Sequence, residues 1–349
     1  MNEATLISIP GLVRIKPGAV ARLGVYLRRA DHVRVMVLTS KDLPLAVQKA
    51  VRTGLEEEHI AVAAWVEVTD NSFEEAVLGF AGMPKKVQAI VGLGGGKALD
   101  MAKYLAFMAQ LPYYAVPTSL SNDGFCSPQS SLTMRGKRRS LKATPPRGVV
   151  IDVNICLAAP HALWLSGVGD LVSKLTAVFD WKLAFHKKGE PVNDLAALLS
   201  DATVHQFLAR PSFDPQGMSL LGTALMLNGI AMEICGSSRP ASGSEHLISH
   251  VLDTISARPR LHGLQVGVAT YLVSRLQGQE TATLENLFQE TGFWDAIRDD
   301  PFSREEWLEA SRLAPDFKDD YFTVLALRDC LPELRDILNS DPVLEGCFV

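Results

Sequence analysis

The sequence predicts an α/β domain followed by an all-α domain, and two patterns lead to this fold class. In the first half, short valine-rich runs alternate with helical segments, which is typical of strands buried on both faces of a parallel sheet. In the second half, apolar residues recur with helical spacing and prolines separate the segments. A length of 349 residues corresponds to roughly two domains of about 150 residues. We therefore expect a doubly wound, Rossmann-like domain over 1–158 and a helical domain over 159–349.

The strands and helices of the first half follow in a regular order. Runs of four to eight apolar residues predict strands at 33–40, 61–68, 87–94, 113–119 and 148–154. Helices are predicted at 45–59, from Ser72, where Ser72 and Glu75 form a capping box, and from Lys97. This β-α-β-α order predicts a parallel sheet with right-handed crossovers.

A more polar segment at 130–142 predicts a hairpin. Its turn carries four cations, Arg135, Lys137, Arg138 and Arg139. A solvated hairpin is the simpler interpretation, and a phosphate contact is the alternative.

Five helices are predicted in the second half. They cover 162–185, 194–209, 219–235, 242–255 and 262–277. The most apolar stretch, 220–235, contains Asn228 and Glu233 and is too short to cross a bilayer, so we expect a buried core helix.

Composition excludes several classes of protein. The net charge is −5, which argues against general binding of nucleic acid. Residues 1–150 hold 19 Lys and Arg against 12 Asp and Glu, and the rest hold 15 against 27. A basic half and an acidic half fit two domains with different ligands, or an incidental difference of surface. The five cysteines form no C-x-x-C motif, and the N-terminus has no signal-peptide pattern, so we expect a reducing cytoplasm.

A glycine-rich turn joins the strand ending at Gly94 to the next helix. Glycines here let the backbone approach a ligand, and the first N–H groups of the helix point at an anion. The segment matches neither the P-loop nor the G-x-G-x-x-G dinucleotide fingerprint. Phosphate or pyrophosphate is the expected ligand. The alternative is that the three glycines only form a tight turn.

Three histidines lie close together in the sequence. His246 and His250 are four residues apart and share a helix face, and His262 follows Pro259. Because Leu247 follows His246, the H-E-x-x-H motif of zinc proteases is absent. Two histidines need a further ligand, usually a carboxylate, and Asp170 is the best candidate. Spacing alone leaves Asp170 equally open to the role of a helix N-cap.

Five segments resemble one enzyme family. They are GLGGGKALDMAKYLA, VPTSLSNDGFCSP, SGVGDLVSKLTAVFDWKLA, SGSEHLISHVLD and LHGLQVGV, in this order. Together they resemble the glycerol-1-phosphate dehydrogenases, which belong to the superfamily of iron-containing (group III) alcohol dehydrogenases and dehydroquinate-synthase-like enzymes. The resemblance covers about 7–267 and implies a dehydroquinate-synthase-like fold, with the active site in the cleft between the two domains.

The resemblance also implies roles for individual residues. The cofactor would be bound by Gly94, Gly95, Gly96, Lys97, Ala98, Thr118, Ser119, Leu120, Ser121 and Ser127. The metal ligands would be Asp170, His246 and His262. Asp123 and His250 would contact the substrate and relay a proton. The metal would be Zn²⁺, with Fe²⁺ or Ni²⁺ as alternatives. The cofactor would be NAD or NADP, since both Lys41 and Asp42 follow the predicted strand at 33–40.

The implied reaction is the reduction of dihydroxyacetone phosphate to sn-glycerol 1-phosphate in a homo-oligomer with no membrane insertion. Other polyol or alcohol dehydrogenases, such as glycerol dehydrogenase, stay open, as do a dehydroquinate-synthase-like lyase and a non-catalytic paralogue. The partners of the substrate phosphate are not identified, and Lys142 and the hairpin arginines are candidates. One departure from the family is Leu264, which stands where a glutamate is common and puts the tuning of His262 in doubt.

Overall fold

The computed structural model describes residues 7–349, and these form two compact units. The first contains the described residues up to Ala159 together with Asp214–Glu233. The second contains Pro160–Phe213 and Ile234–Val349. One helix from beyond residue 158 thus belongs to the first unit.

The first unit is built on a parallel sheet, as predicted. Residues 7–349 contain eight strands: β1 (Leu12–Lys16), β2 (Arg34–Ser40), β3 (Ala61–Val68), β4 (Ala89–Gly94), β5 (Tyr113–Pro117), β6 (Gln129–Met134), β7 (Lys137–Lys142) and β8 (Gly148–Asp152). Six of them form the sheet in the order β1-β8-β5-β4-β2-β3, with parallel pairing throughout. The prediction that β3 is buried on both faces is wrong, because β3 is an edge strand with several exposed side chains.

Helices cover the sheet of the first unit. They are α1 (Leu23–Arg29), α2 (Leu45–Glu57), α3 (Phe73–Ala81), α4 (Gly96–Ala109), α5 (Val153–Ala158) and α8 (Pro215–Cys235). Apolar residues of α1, α2 and the central strands form one buried core. Helix α8 packs closely against the rest of this unit at Gly222, where an added Cβ would lie 3.1 Å from side-chain atoms of both Leu120 and Ile151.

The order of the strands creates a crevice. From β2 the chain moves outward to β3, and then crosses back to β4 on the other side of β2. In open parallel sheets, ligands bind beyond the carboxyl ends of the strands at such a switch point. Ser40 and Gly94, the last residues of β2 and β4, stand at this point.

The hairpin forms as predicted. Strands β6 and β7 pair antiparallel and leave Arg135 and Gly136 in the turn. The backbone N–H of Thr133 donates to Asn71 O, which ties β6 to the loop that follows β3. The basic residues at the tip are exposed.

The second unit is helical. The five helices predicted for the second half of the sequence are all present, and four of them lie in this unit. Its helices are α6 (His161–Lys188), α7 (Asp194–Leu208), α9 (Ser244–Ile255), α10 (His262–Gln277), α11 (Thr281–Thr291), α12 (Phe293–Arg298), α13 (Arg304–Leu313), α14 (Val324–Leu327) and α15 (Leu331–Ser340). Helix α6 is central and packs most extensively on α10.

Within the described part of the chain, two helices, α6 and α8, have the length and composition of a membrane span. Their most apolar windows are 78% and 56% buried within the protein. Burial of this extent is what core helices of a soluble protein show, so neither helix argues for insertion into a bilayer.

Candidate functional site

Two glycines let α6 and α10 touch backbone to backbone. An added Cβ on Gly169 would lie 2.1 Å from Gly263 O, and one on Gly263 would lie 1.7 Å from Ser166 O. Larger residues would force the helices apart. The Gly263 N–H also donates to Ser166 Oγ at 3.1 Å. This close approach brings Asp170, the next residue on α6, to the first turn of α10, where His262 lies.

Asp170, His246 and His262 converge although they lie on three helices. Their potential ligand atoms all lie within 4.8 Å of one another. Asp170 Oδ1 is 3.6 Å from Nε2 of His246 and 3.8 Å from Nε2 of His262. Asp170 is 1% exposed and lies inside α6, so the alternative of a helix N-cap is wrong. Catalytic zinc sites typically have three protein ligands and keep positions open, and one carboxylate with two imidazoles is a donor set of that kind.

Each histidine has a polar partner on its other ring nitrogen. Nδ1 of His246 lies 2.9 Å from Glu245 Oε1, and Nδ1 of His262 lies 3.2 Å from Ser249 Oγ. When Nδ1 carries the proton and donates, Nε2 offers its lone pair, so this arrangement suits a metal at the Nε2 atoms. These residues therefore fit a divalent cation.

Charges around Asp170 keep it ionised. Its buried neighbour Lys174 donates from Nζ to Asp170 O at 2.7 Å and approaches Oδ2 at 3.5 Å. Burial alone would raise the pKa of Asp170, but the Lys174 ammonium, followed by His246 and His262, outweighs it and holds the pKa well below its ordinary value. Burial opposes protonation of His246, yet the hydrogen bonds to Asp170 and Glu245 raise the pKa of His246 to about 9.

His250 lies beside this cluster. Its ring stacks on His262 with centroids 5.8 Å apart, and Phe317 stacks on His250 at 5.7 Å. The ring of His246 is 6.2 Å away. The sequence prediction that His250 shares the helix face of His246 is therefore consistent with this packing, and His250 is next to the candidate ligands.

A further buried carboxylate, Asp180, supports the start of α9. Asp180, fully buried on α6, accepts hydrogen bonds from the backbone N–H groups of Ser244 and Val324 at 2.8 and 2.9 Å. Burial, and then the charge of Glu245, raise the pKa of Asp180 to about 6. The Asp180 carboxylate thus anchors the first residue of α9, two residues before His246.

The glycine loop of the first unit is held by Ser40. Gly94 has a φ of +139°, and an added Cβ would lie 2.2 Å from Ser40 Oγ, so this position favours glycine. The Gly95 N–H donates to Ser40 Oγ at 2.9 Å. Gly95 is the N-cap of α4 and has no side-chain cap. The first N–H groups of α4, at Gly96, Lys97 and Ala98, are therefore the ones suited to an anion.

The second predicted cofactor loop adjoins the first. Strands β4 and β5 are neighbours, and the Thr118 N–H donates to Gly94 O at 3.1 Å. The two loops thus lie side by side at the carboxyl edge of the sheet. This edge gathers Gly94, Gly95, Gly96, Lys97 and Ala98 with Thr118, Ser119, Leu120 and Ser121.

A buried lysine fixes the loop that carries Asp123 and Ser127. Lys103, on α4, donates from Nζ to Gly124 O and Gln129 O, both at 2.5 Å. Ser127 is 6% exposed, and its Oγ donates to Gln129 O at 3.0 Å. In this structure the Ser127 hydroxyl is engaged in shaping the loop. Asp123 opens a short 3-10 turn and is partly buried.

Sequence reasoning missed the residues that support the ligands: Glu245, Ser249, Gln265 and Lys174. Spacing could have indicated them, since Lys174 is four residues after Asp170, Ser249 is three after His246 and Gln265 is three after His262, each on one helix. The substitution at Leu264 raised the question of which group tunes His262. In the structure, Ser249 of α9 supplies that polar partner.

The comparison with known proteins first defines the class. The family model for iron-containing alcohol dehydrogenase matches residues 14–160. Glycerol-1-phosphate dehydrogenase, NAD(P)+, from Metallosphaera sedula is 32% identical over 330 residues, which are 93% of this chain and 93% of that protein. A relative of the same name from Aeropyrum pernix is 31% identical over 346 residues, or 95% and 96% of the two chains. The chain belongs to the glycerol-1-phosphate dehydrogenase family.

Solved structures agree on the fold. Glycerol dehydrogenase from Schizosaccharomyces pombe aligns over 99% of this chain and 93% of its own, with a TM-score of 0.75 and 18% identity. An iron-containing alcohol dehydrogenase from Thermotoga maritima aligns over 99% of both chains with a TM-score of 0.69. The predicted dehydroquinate-synthase-like fold is thereby confirmed.

Proposed function

We propose that this protein is a metal-dependent, NAD(P)-linked oxidoreductase that reduces dihydroxyacetone phosphate to sn-glycerol 1-phosphate. The observation that carries the proposal is the convergence of Asp170, His246 and His262 within 4.8 Å. It occurs in a chain whose relatives, matched over more than nine-tenths of its length, are named glycerol-1-phosphate dehydrogenases. A non-catalytic paralogue would have no need to keep this set together.

Asp170, His246 and His262 would hold the metal, which we propose to be Zn²⁺, with Fe²⁺ or Ni²⁺ as alternatives. The bound metal would supply Lewis-acid polarisation of the substrate C2 oxygen, and the nicotinamide would supply the hydride. The hydrogen bond from His246 to Glu245 orients one ligand ring, and the ionised Asp170 provides the negative charge that a cation needs.

The remaining roles follow the chemistry of the side chains. The N–H groups of Gly96, Lys97 and Ala98 would bind the cofactor pyrophosphate, and the Lys97 ammonium adds charge there. His250, stacked beside the ligand His262, is suited to hold a substrate hydroxyl and to exchange its proton. Asp123 would contact the substrate and Ser127 would contact the nicotinamide, as the family resemblance implies.

Several finer properties belong to the same proposal. Either NAD or NADP would serve, since Lys41 and Asp42 both follow β2. All five cysteines lie in the described region and are free thiols, which supports a cytoplasmic protein. We also propose a homo-oligomer and a domain boundary near residue 158.

The second candidate is a glycerol or polyol dehydrogenase, which the fold of the Schizosaccharomyces pombe enzyme favours. The two functions differ in the need for a phosphate. Loss of charge-assisted hydrogen bonds worth about 3 kcal/mol corresponds to roughly a hundredfold in rate. We expect kcat/KM for dihydroxyacetone phosphate to exceed that for dihydroxyacetone by at least about this factor. Equal values, or a preference for dihydroxyacetone or glycerol, would favour the second candidate.

A further inference from the structure

The Nδ1 atoms of His246 and His262 have different partners: a carboxylate, Glu245, at His246 and a hydroxyl, Ser249, at His262. The Glu245 carboxylate can only accept, so it fixes which nitrogen of His246 carries the proton. Ser249 Oγ, the partner of His262, can accept or donate. A serine hydroxyl therefore orients the ring only if other contacts hold the hydroxyl in place.

Gln265 provides those contacts. Its Oε1 accepts from the Arg260 N–H at 2.8 Å, which fixes the orientation of the amide. Nε2 therefore faces α9 and lies 3.1 Å from Ser249 Oγ and 3.3 Å from Ser249 O. It also donates to Asp253 Oδ1 at 3.1 Å.

The serine and the glutamine are enclosed. Ser249 is 0% exposed and Gln265 is 1% exposed, so water does not compete for these hydrogen bonds. The same glutamine joins α9, at Ser249 and Asp253, to the loop that leads into His262 at Arg260. It thereby couples the position of the hydroxyl to the start of α10.

We propose that Ser249 and Gln265 are positioning residues for the metal ligand His262. Gln265 holds Ser249 Oγ so that it accepts the Nδ1–H of His262, which leaves Nε2 to bind the cation. This inference rests on the metal site of the proposed function. It accounts for Leu264, because a partner for His262 comes from α9 and a carboxylate at position 264 is not required.

The test is a zinc titration of the metal-free protein against a chromophoric chelator, which reads affinity without any assay of activity. We expect Ser249→Ala to weaken zinc binding by about tenfold to a hundredfold, the usual effect of losing such a partner. Ser274→Ala is the matched control. Ser274 is also fully buried in the helical unit, and its Oγ lies 2.7 Å from Tyr271 O and 3.1 Å from Thr281 Oγ1. The zinc affinity of Ser274→Ala should equal that of the wild type.

A double variant separates positioning from general damage. If Gln265 acts on His262 through Ser249, Gln265→Met alone should also weaken zinc binding. Ser249→Ala with Gln265→Met should then bind zinc as weakly as Ser249→Ala alone, within about twofold. Melting of the metal-free proteins should show similar losses for Ser249→Ala and Ser274→Ala. Should the alanine variant fail to fold, Ser249→Cys carries the test, since a thiol is a weaker acceptor of similar size.

The outcomes distinguish this inference from the function on which it rests. Unchanged zinc affinity in Ser249→Ala, or fully additive losses in the double variant, would overturn the positioning role alone. A wild-type protein that binds no zinc, iron or nickel would overturn the metal site and with it the proposed function.

Discussion

Asp170 Oδ1 lies 3.6 Å from Nε2 of His246, a contact between the middle of α6 and the first turn of α9. Neither helix can place this pair alone. The Lys174 ammonium lies 3.5 Å from Asp170 Oδ2, and the imidazole is held by Glu245, so both side chains have a partner before any cation arrives. Pre-orientation of this kind reduces the entropy lost on binding a metal.

Removal of one ligand should abolish the site. His246→Ala leaves two donors, and we expect zinc affinity to fall by more than the roughly hundredfold associated with an outer partner. Activity should fall with it. The matched control is His205→Ala, because the side chain of His205 is 55% exposed and pairs only at the surface with Asp201. Zinc content per chain by elemental analysis is the measurement, and full occupancy of the His246 variant would contradict the ligand assignment.

His250 should affect the reaction without affecting the metal. Because it stacks beside His262 and is not one of the three converging donors, His250→Asn should retain zinc. A proton-transfer role predicts a fall in kcat of about a hundredfold or more. Steady-state kinetics on zinc-loaded protein provide the test. A wild-type kcat would remove His250 from the mechanism, whereas loss of zinc would indicate a structural role.

Two glycines of the cofactor loop should respond differently to alanine. At Gly94 the φ of +139° and the 2.2 Å approach of an added Cβ to Ser40 Oγ predict a loss of about 2 kcal/mol or more in stability. At Gly96 an added Cβ meets nothing within 4 Å, so Gly96→Ala should fold normally. The methyl group would occupy the approach to the N–H groups of α4 and weaken NADH binding by about tenfold. Urea unfolding and NADH fluorescence measure the two effects. Normal NADH affinity in Gly96→Ala would place the pyrophosphate elsewhere.

Asp180 should make stability depend on pH. Its pKa is raised from 3.8 to about 6 in the folded protein, so the folded state keeps its proton to higher pH than the unfolded state. The resulting stabilisation is complete below about pH 4 and is lost as pH rises through about 6, with a size on the order of 3 kcal/mol.

The difference in unfolding free energy between wild type and Asp180→Asn isolates this contribution. In metal-free protein the difference should shift against the wild type between pH 4 and 6, and then stay level. Asp201→Asn, the same change at an exposed carboxylate, is the control. A difference that is flat from pH 4 to 7 would show that Asp180 is ionised throughout.

The sequence predicted the elements whose patterns are local. Valine-rich runs located β2, β4, β5 and β8, and helical spacing located α6, α7, α9 and α10. Strand β1 was not predicted, because Leu12–Lys16 is short, half-buried and carries two cations. The placement of α8 with the first unit depends on contacts such as Gly222 with Leu120, which a hydrophobic pattern does not specify.

The candidate ligands could be predicted from the sequence for a different reason. The positions of His246, His250 and His262 raised a metal site with Asp170 as the best further ligand, and the family resemblance then selected Asp170, His246 and His262. The residues that support the ligands could not be predicted in this way, because the contact of Gln265 with Ser249 arises only when α9 packs on α10. The role of Leu264 could likewise be judged only once the partner of His262 was seen.

The most direct measurement is NADH oxidation with dihydroxyacetone phosphate by protein stripped of metal and then titrated with Zn²⁺. The account predicts almost no rate in the stripped protein and a rise in proportion to zinc up to one ion per chain, with sn-glycerol 1-phosphate as the product. Undiminished oxidation by metal-free protein, or no oxidation of NADH or NADPH by the fully loaded protein, would contradict it.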